Sequence, residues 1–216
     1  METIEAALPA ADGLACFNQM YLQVTRQVAS RLGEGFFADP AFMTHLDVGF
    51  AGLYFGAAGA ADGAADGAAV PLAWQPLMEQ RANTGIEPVQ FALAGMNAHI
   101  NHDLPLAVVA TCTALATSPD AGAHFADYQK VDQLLDDAEQ SIRESFESAP
   151  ELAIDHHLSA VSNLIANWTI NSARDLAWTN CLLLWAVRND PIASGLLADS
   201  LARSAALTSR LLLVAV

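Results

Sequence analysis

Apolar residues return every three or four positions along almost the whole chain, and strict alternation is nearly absent. That period puts apolar side chains on one face of a helix. The chain is therefore read as all-α, a single-domain helical bundle of about six to seven helices. Alanine and leucine, both strong helix formers, dominate it. Its 216 residues suffice for one sizeable core, and no long linker divides them, so residues 1–216 are taken as one domain.

Caps and breakers mark the segments. A first helix runs over 14–32 and ends at Gly33 and Gly35. Asp39-Pro40 opens a second, carrying Phe42, Leu46, Phe50, Leu53 and Tyr54. Residues 56–70, GAAGAADGAADGAAV, have almost no bulky side chains and read as a flexible insert that adds little to the core. A short helix follows near Pro76, covering 74–83. A long helix over 89–117 contains Pro105, which should kink it. The segment 123–147 is amphipathic, with Phe125, Tyr128, Val131, Leu134, Leu135, Ala138 and Ile142 as its apolar stripe. Further helices are expected over 155–188 and from Asp190-Pro191 to the end of the sequence.

Charge excludes several functions. There are 24 acidic and 9 basic residues, a net charge of −15, and Lys130 is the only lysine. A nucleic-acid partner or an anionic membrane surface needs a basic patch, which this chain cannot easily build. Mean hydropathy is +0.29, but the longest apolar run, around 104–117, is short of the ~20 residues a spanning helix needs. The acidic start, with Glu2 and Glu5, does not resemble a secretory signal. Cys16, Cys112 and Cys181 are far apart and form no CxxC pair, so they read as packed thiols in a reducing, cytoplasmic setting.

The histidines carry the chemistry. Five of the six fall in three short segments, each with an aspartate close by. In 94–109, His99, His102 and Asp103 are spaced three and four apart, which places them on one helical face. Imidazole and carboxylate are ligands for iron, zinc or manganese. Asn97 and Asn101 flank them and could orient the ligands. In 42–55, Asp47 lies on an apolar stripe and wants a cationic partner, whereas His45 falls between stripes and reads as a surface residue. In 153–168, Asp155 suits an N-cap, and His156 or His157 can face the bundle. His124 stands alone and reads as structural. Arg174 sits amid apolar positions with Asp175 near, either a buried ion pair or an anion clamp for substrate. Trp74, Trp168, Trp178 and Trp185 read as core.

Together these segments offer a donor set suited to two metal ions rather than one closed structural zinc. A His-rich pair with few carboxylates suits hydrolysis, in which metals acidify a bound water and polarise the substrate. There is no GxSxG elbow, P-loop, GxGxxG or HExxH motif. The competing expectation is a non-catalytic binding protein for an apolar ligand.

The stretches FFADPAFMTHLDVGFAGLYF, ALAGMNAHINHDLPLAVV and INSARDLAW resemble DUF5995, an actinobacterial family of helical proteins of unknown function. The chain is also similar to the nonheme diiron thioesterases of platensimycin and platencin biosynthesis. That resemblance implies hydrolysis of a diterpenoid acyl-CoA thioester at a two-iron centre. It implies Asp47, His99, His102 and Asp103 as ligands, with one or both of His156 and His157. Coenzyme A poses a difficulty, since only a few arginines, Arg81 or Arg174, could meet its phosphates. The His99–Asp103 spacing is also similar to a pair in the zinc phospholipase C and P1-nuclease group, which would imply a zinc phosphoesterase. The N-terminal tryptophan ligand of that group is missing from this sequence.

Overall fold

The computed structural model of the chain describes residues 1–63, 68–147 and 170–215, with 136–147 described by their backbone alone. Among these residues there is no strand, and the architecture is an all-helical bundle. The helices are α1 (Glu2–Ala7), α2 (Gly13–Leu32), α3 (Pro40–Ala61), α4 (Gln75–Gln80), α5 (Pro88–Ala98), α6 (Leu104–Ala114), α7 (His124–Glu147), α8 (Ile170–Val187) and α9 (Pro191–Leu212). A π-helical turn, His99–Asp103, joins α5 to α6 in one continuous rod. Among the described residues no helix is long and apolar enough to cross a membrane.

Polar side chains fix where the helices start. Asp12 accepts from the Leu14 amide, Asp39 from Phe42, and Asp190 from Ile192 and Ala193. Each satisfies an amide that the first turn leaves without an intrahelical partner. Glu87 and Gln90 form a reciprocal capping box on α5. Gln90 also donates to the carbonyls of Leu212 and Val214, which ties the end of α9 to the rod.

The rod is the centre of the bundle. α5 packs between α2 and α9, while α6 packs on α3 and α8. Beneath it, Phe17, Tyr54 and Trp74 meet edge to face or tilted, with ring centroids 5.1–5.6 Å apart. Offset and edge-to-face contacts of this kind are the favoured aromatic geometries. α7 supplies Tyr128, Val131, Leu134 and Leu135 to the same core. Phe125 is largely exposed instead, resting on Trp178 at 4.9 Å.

The structure corrects the sequence reading at several places. α1 was not expected. The alanine-rich stretch does not begin as a loop: α3 continues to Ala61, and Ala57 and Ala58 are buried in the core. Alanine faces allow close helix packing without bulk. The remainder of the supposed insert, 64–67, lies outside the described residues, as does the helix start expected near Asp155. In the rod, the disturbance precedes Pro105 rather than sitting at it. Proline has no amide to donate, and the ladder lengthens just before it, with Leu104 N–H reaching back five residues to His99.

Gly95 shows how tightly the rod and α2 meet. A Cβ there would overlap the Phe17 ring. Gly95→Ala is expected to cost about 1–3 kcal/mol by overpacking. For a chain of this size that is a fall in melting temperature of roughly 2–12 °C, measurable by calorimetry.

Candidate functional site

The π turn gathers the histidine-rich segment around one carboxylate. Asp103 is almost fully buried. Its Oδ2 accepts from His99 Nδ1 at 2.9 Å and from the Trp74 indole at 2.9 Å, and its Oδ1 accepts from His102 Nδ1 at 2.7 Å. Burial pushes the Asp103 pKa up, but the hydrogen bonds from His102 and His99 outweigh it, and the net shift is below the usual carboxylate range. Asp103 is therefore an anion at neutral pH and can only accept. Both imidazoles must then carry a proton on Nδ1.

His99 is fully buried and its pKa is lowered, chiefly by desolvation, with Asp103 opposing but not reversing the shift. It is a neutral imidazole whose Nε2 has no hydrogen-bond partner among the described residues. Its ring is clamped by Phe50, stacked at 3.5 Å, and by the Tyr21 ring at 4.5 Å.

His99 lies in the wall of an apolar cavity between α2, α3, the π turn, α7 and α8. Phe17, Met43, Phe50 and Ile100 are among its lining residues. Asp47 faces the same cavity, and among the described residues its carboxylate has no ion pair or hydrogen bond; burial raises its pKa. Thus two of the expected site residues, His99 and Asp47, meet at one cavity. Asp103 and His102 sit behind that wall. Among the described residues no three His, Cys, Asp or Glu side chains converge as a metal cluster. His156 and His157 lie outside the described residues.

Other expectations change. Asn97 and Asn101 face away from the histidines. Asn97 donates to the Ala205 carbonyl and to Ser209 on α9, and Asn101 donates to Asn97. They hold the rod to α9 rather than orienting the imidazoles. Arg174 is buried and lines the cavity, but its partner is Asp132 rather than the exposed Asp175. It also donates to the Tyr128 carbonyl and lies 4.1 Å from the Tyr128 ring centroid. Arg81 is held by Asp12 and Asp62. His45 is exposed. His124 packs flat on Phe42 at 3.8 Å and contacts the Ser118 carbonyl and Asp39, a structural role. Burial pushes the Cys112 thiol up to about 11 and the Cys181 thiol to about 12, which makes both inert.

The family match covers this whole arrangement. The chain belongs to DUF5995, a family of unknown function. The match runs over residues 1–215. No curated protein and no solved structure matches the chain significantly.

Two site residues of this DUF5995 protein escaped sequence reasoning. Trp74 looked like plain core, yet its indole N–H supplies the third donor to Asp103. Tyr21, on the apolar stripe of α2, puts its ring against His99 and its buried hydroxyl has no partner but Thr25 among the described residues. Neither carried a local signal, because both act across the fold.

Asp103→Asn should leave one of the three donors facing an amide N–H. The expected cost is about 3 kcal/mol, since a buried charge network is broken from one side. The sign with pH follows from the depressed pKa values. The stability from His99 is complete above its ordinary value of 6.5 and is lost as pH falls towards its folded pKa. That from Asp103 is complete above 3.8 and is lost below it. Denaturant titrations of the parent should weaken in both windows, and the Asp103→Asn variant should lack the lower one. Nitrogen-15 spectra should show His99 with a protonated Nδ1 and a bare Nε2 at neutral pH.

Proposed function

We propose that the protein is a metal-dependent hydrolase acting on an apolar acyl thioester. The observation that carries this reading is the buried, unpartnered Nε2 of His99 facing an apolar cavity, with its other nitrogen fixed by Asp103. A carboxylate–histidine pair of this kind is the usual support behind a metal-ligating imidazole. Asp47 adds a second acceptor to the same space. Two lone-pair donors without any N–H or O–H directed at them favour a cation.

The donor set fits a metal in this sense: His99 and Asp47 would hold it, and Asp103 would orient His99 instead of serving as a ligand itself. The resemblance adds His156 or His157 as further ligands, and both lie outside the described residues. His102, whose Nδ1 is likewise held by Asp103, is the candidate ligand for a second ion. Iron is favoured by the resemblance to diiron thioesterases, with zinc and manganese as alternatives. When bound, such an ion acidifies a water and polarises a carbonyl.

The chain's own residues do the rest. The apolar lining takes up the acyl group and keeps bulk water out, which strengthens every electrostatic contact inside. Phe50 and Tyr21 clamp the imidazole plane so that Nε2 keeps its direction. A thiolate leaves readily, so no strong general acid is required, and none is present among the described lining residues. A phosphoester substrate gains little from this cavity, because the guanidinium that reaches it, that of Arg174, is engaged by Asp132.

A second reading, a non-catalytic carrier for an apolar ligand, is favoured by how few polar groups line the cavity. Metal analysis of protein purified without a nickel column, together with thiol release from apolar acyl thioesters, separates the two. The hydrolase should hold one to two equivalents of metal and lose activity in His99→Ala. In Asp103→Asn, metal affinity or activity should fall roughly 10- to 100-fold. Protein that binds apolar acids tightly but shows no turnover with iron, zinc or manganese is a carrier.

A further inference from the structure

The polar groups of the cavity sort by what they can offer. His99 Nε2 and the Asp47 carboxylate only accept. A substrate carbonyl oxygen also only accepts, so it needs a donor from elsewhere. Arg174 reaches the cavity, but its guanidinium is engaged by Asp132, the Tyr128 carbonyl and the Tyr128 ring. That leaves two hydroxyls on one face of α2, Tyr21 and Thr25, which line the cavity beside each other and are buried without any other partner among the described residues.

Of the two, Tyr21 is the one set against the reaction centre. Its ring centroid lies 4.5 Å from that of His99, in an edge-on contact. A phenol is also a stronger donor than an aliphatic alcohol. A tyrosine hydroxyl carries its proton at neutral pH and so is available as a donor. Thr25, one turn further along α2, lies beside the phenol and can support its oxygen.

We propose that the cavity binds an apolar carbonyl compound with its carbonyl oxygen on the Tyr21 hydroxyl, which makes Tyr21 the substrate-binding donor of the hydrolase. Its catalytic meaning rests on the hydrolase reading; its binding role does not. In turnover the same hydrogen bond would strengthen as the carbonyl oxygen gains negative charge, which is the property that makes such donors catalytic.

The test uses the full chain as purified and 2-undecanone carrying a carbon-13 carbonyl as probe. Isotope-edited infrared spectra should show the bound carbonyl stretch at lower frequency than in hexane. In Tyr21→Phe the stretch should return to its hexane position, and affinity should fall about three- to tenfold, the effect of one hydrogen bond. The matched hydrocarbon n-undecane should bind both proteins alike. That also shows the variant is folded, as expected for loss of a hydroxyl that has no partner but Thr25 among the described residues. Thr25→Val should keep the low-frequency band. The proposal fails if the ketone does not bind, if it binds without a shift, or if the shift survives in Tyr21→Phe. It fails equally if Thr25→Val alone removes the shift. Thioester turnover measured in parallel tests the hydrolase reading separately: a shifted ketone band without any turnover removes that reading and leaves the carbonyl site standing.

Discussion

The site depends on one buried carboxylate. Asp103 is held by three N–H donors: the Trp74 indole just before α4, and His99 and His102 on the π turn. An isolated buried charge is costly. Three good hydrogen bonds offset that cost, and in doing so they fix three rings at once. The Nδ1 proton of each histidine, the direction of the His99 lone pair and the docking of the segment around Trp74 all follow from the same anion. This is why the site tolerates an imidazole nitrogen facing an apolar cavity with nothing to meet it.

The backbone makes this possible through a local defect. Pro105 cannot donate, and the hydrogen-bond ladder before it lengthens from four residues to five. A widened turn of this kind is common at functional positions because it re-aims side chains within a helix that otherwise continues. Here it turns His99 towards the cavity, while Asn97 and Asn101 remain on the α9 side. The rod thus has two working faces. One is a polar relay running from Asn101 through Asn97 to Ser209 and the Ala94 carbonyl, which anchors α9. The other is the aromatic wall that grips His99.

What the sequence made legible is what lies within one or two helical turns. The aspartate caps of α3 and α9 and the buried face of α7 from Tyr128 to Leu135 were plain from local patterns. The His99–Asp103 pairing at spacing four was plain for the same reason, and it survives the change from α to π geometry. Contacts between distant segments left no mark on the local pattern. Trp74 could not be assigned to Asp103, 29 residues on. Arg174 has an adjacent aspartate in sequence, yet pairs with Asp132, because α7 rather than α8 presents a carboxylate to its buried side. The alanine-rich end of α3 misled for a different reason. Small side chains look like weak core formers one at a time, but a helix face made of them can approach its neighbours closely enough to be buried.

Charge and cavity point in the same direction. A chain with a net charge of −15 sits in its own negative potential, which concentrates small cations and repels polyanions. Its basic side chains near the site offer little relief, since Arg81 and Arg174 are both engaged by carboxylates. The large anionic part of a coenzyme A thioester would therefore have to remain outside, in solvent, and contribute little to binding. Recognition would come from the apolar acyl group and the carbonyl, the two parts the cavity can meet. Among the described residues the free groups inside are two acceptors and two hydroxyls, a set that suits the proposed cation on one side and a carbonyl oxygen on the other. The same excess of acid that disfavours a nucleic-acid partner thus favours the metal ion that the proposed chemistry requires.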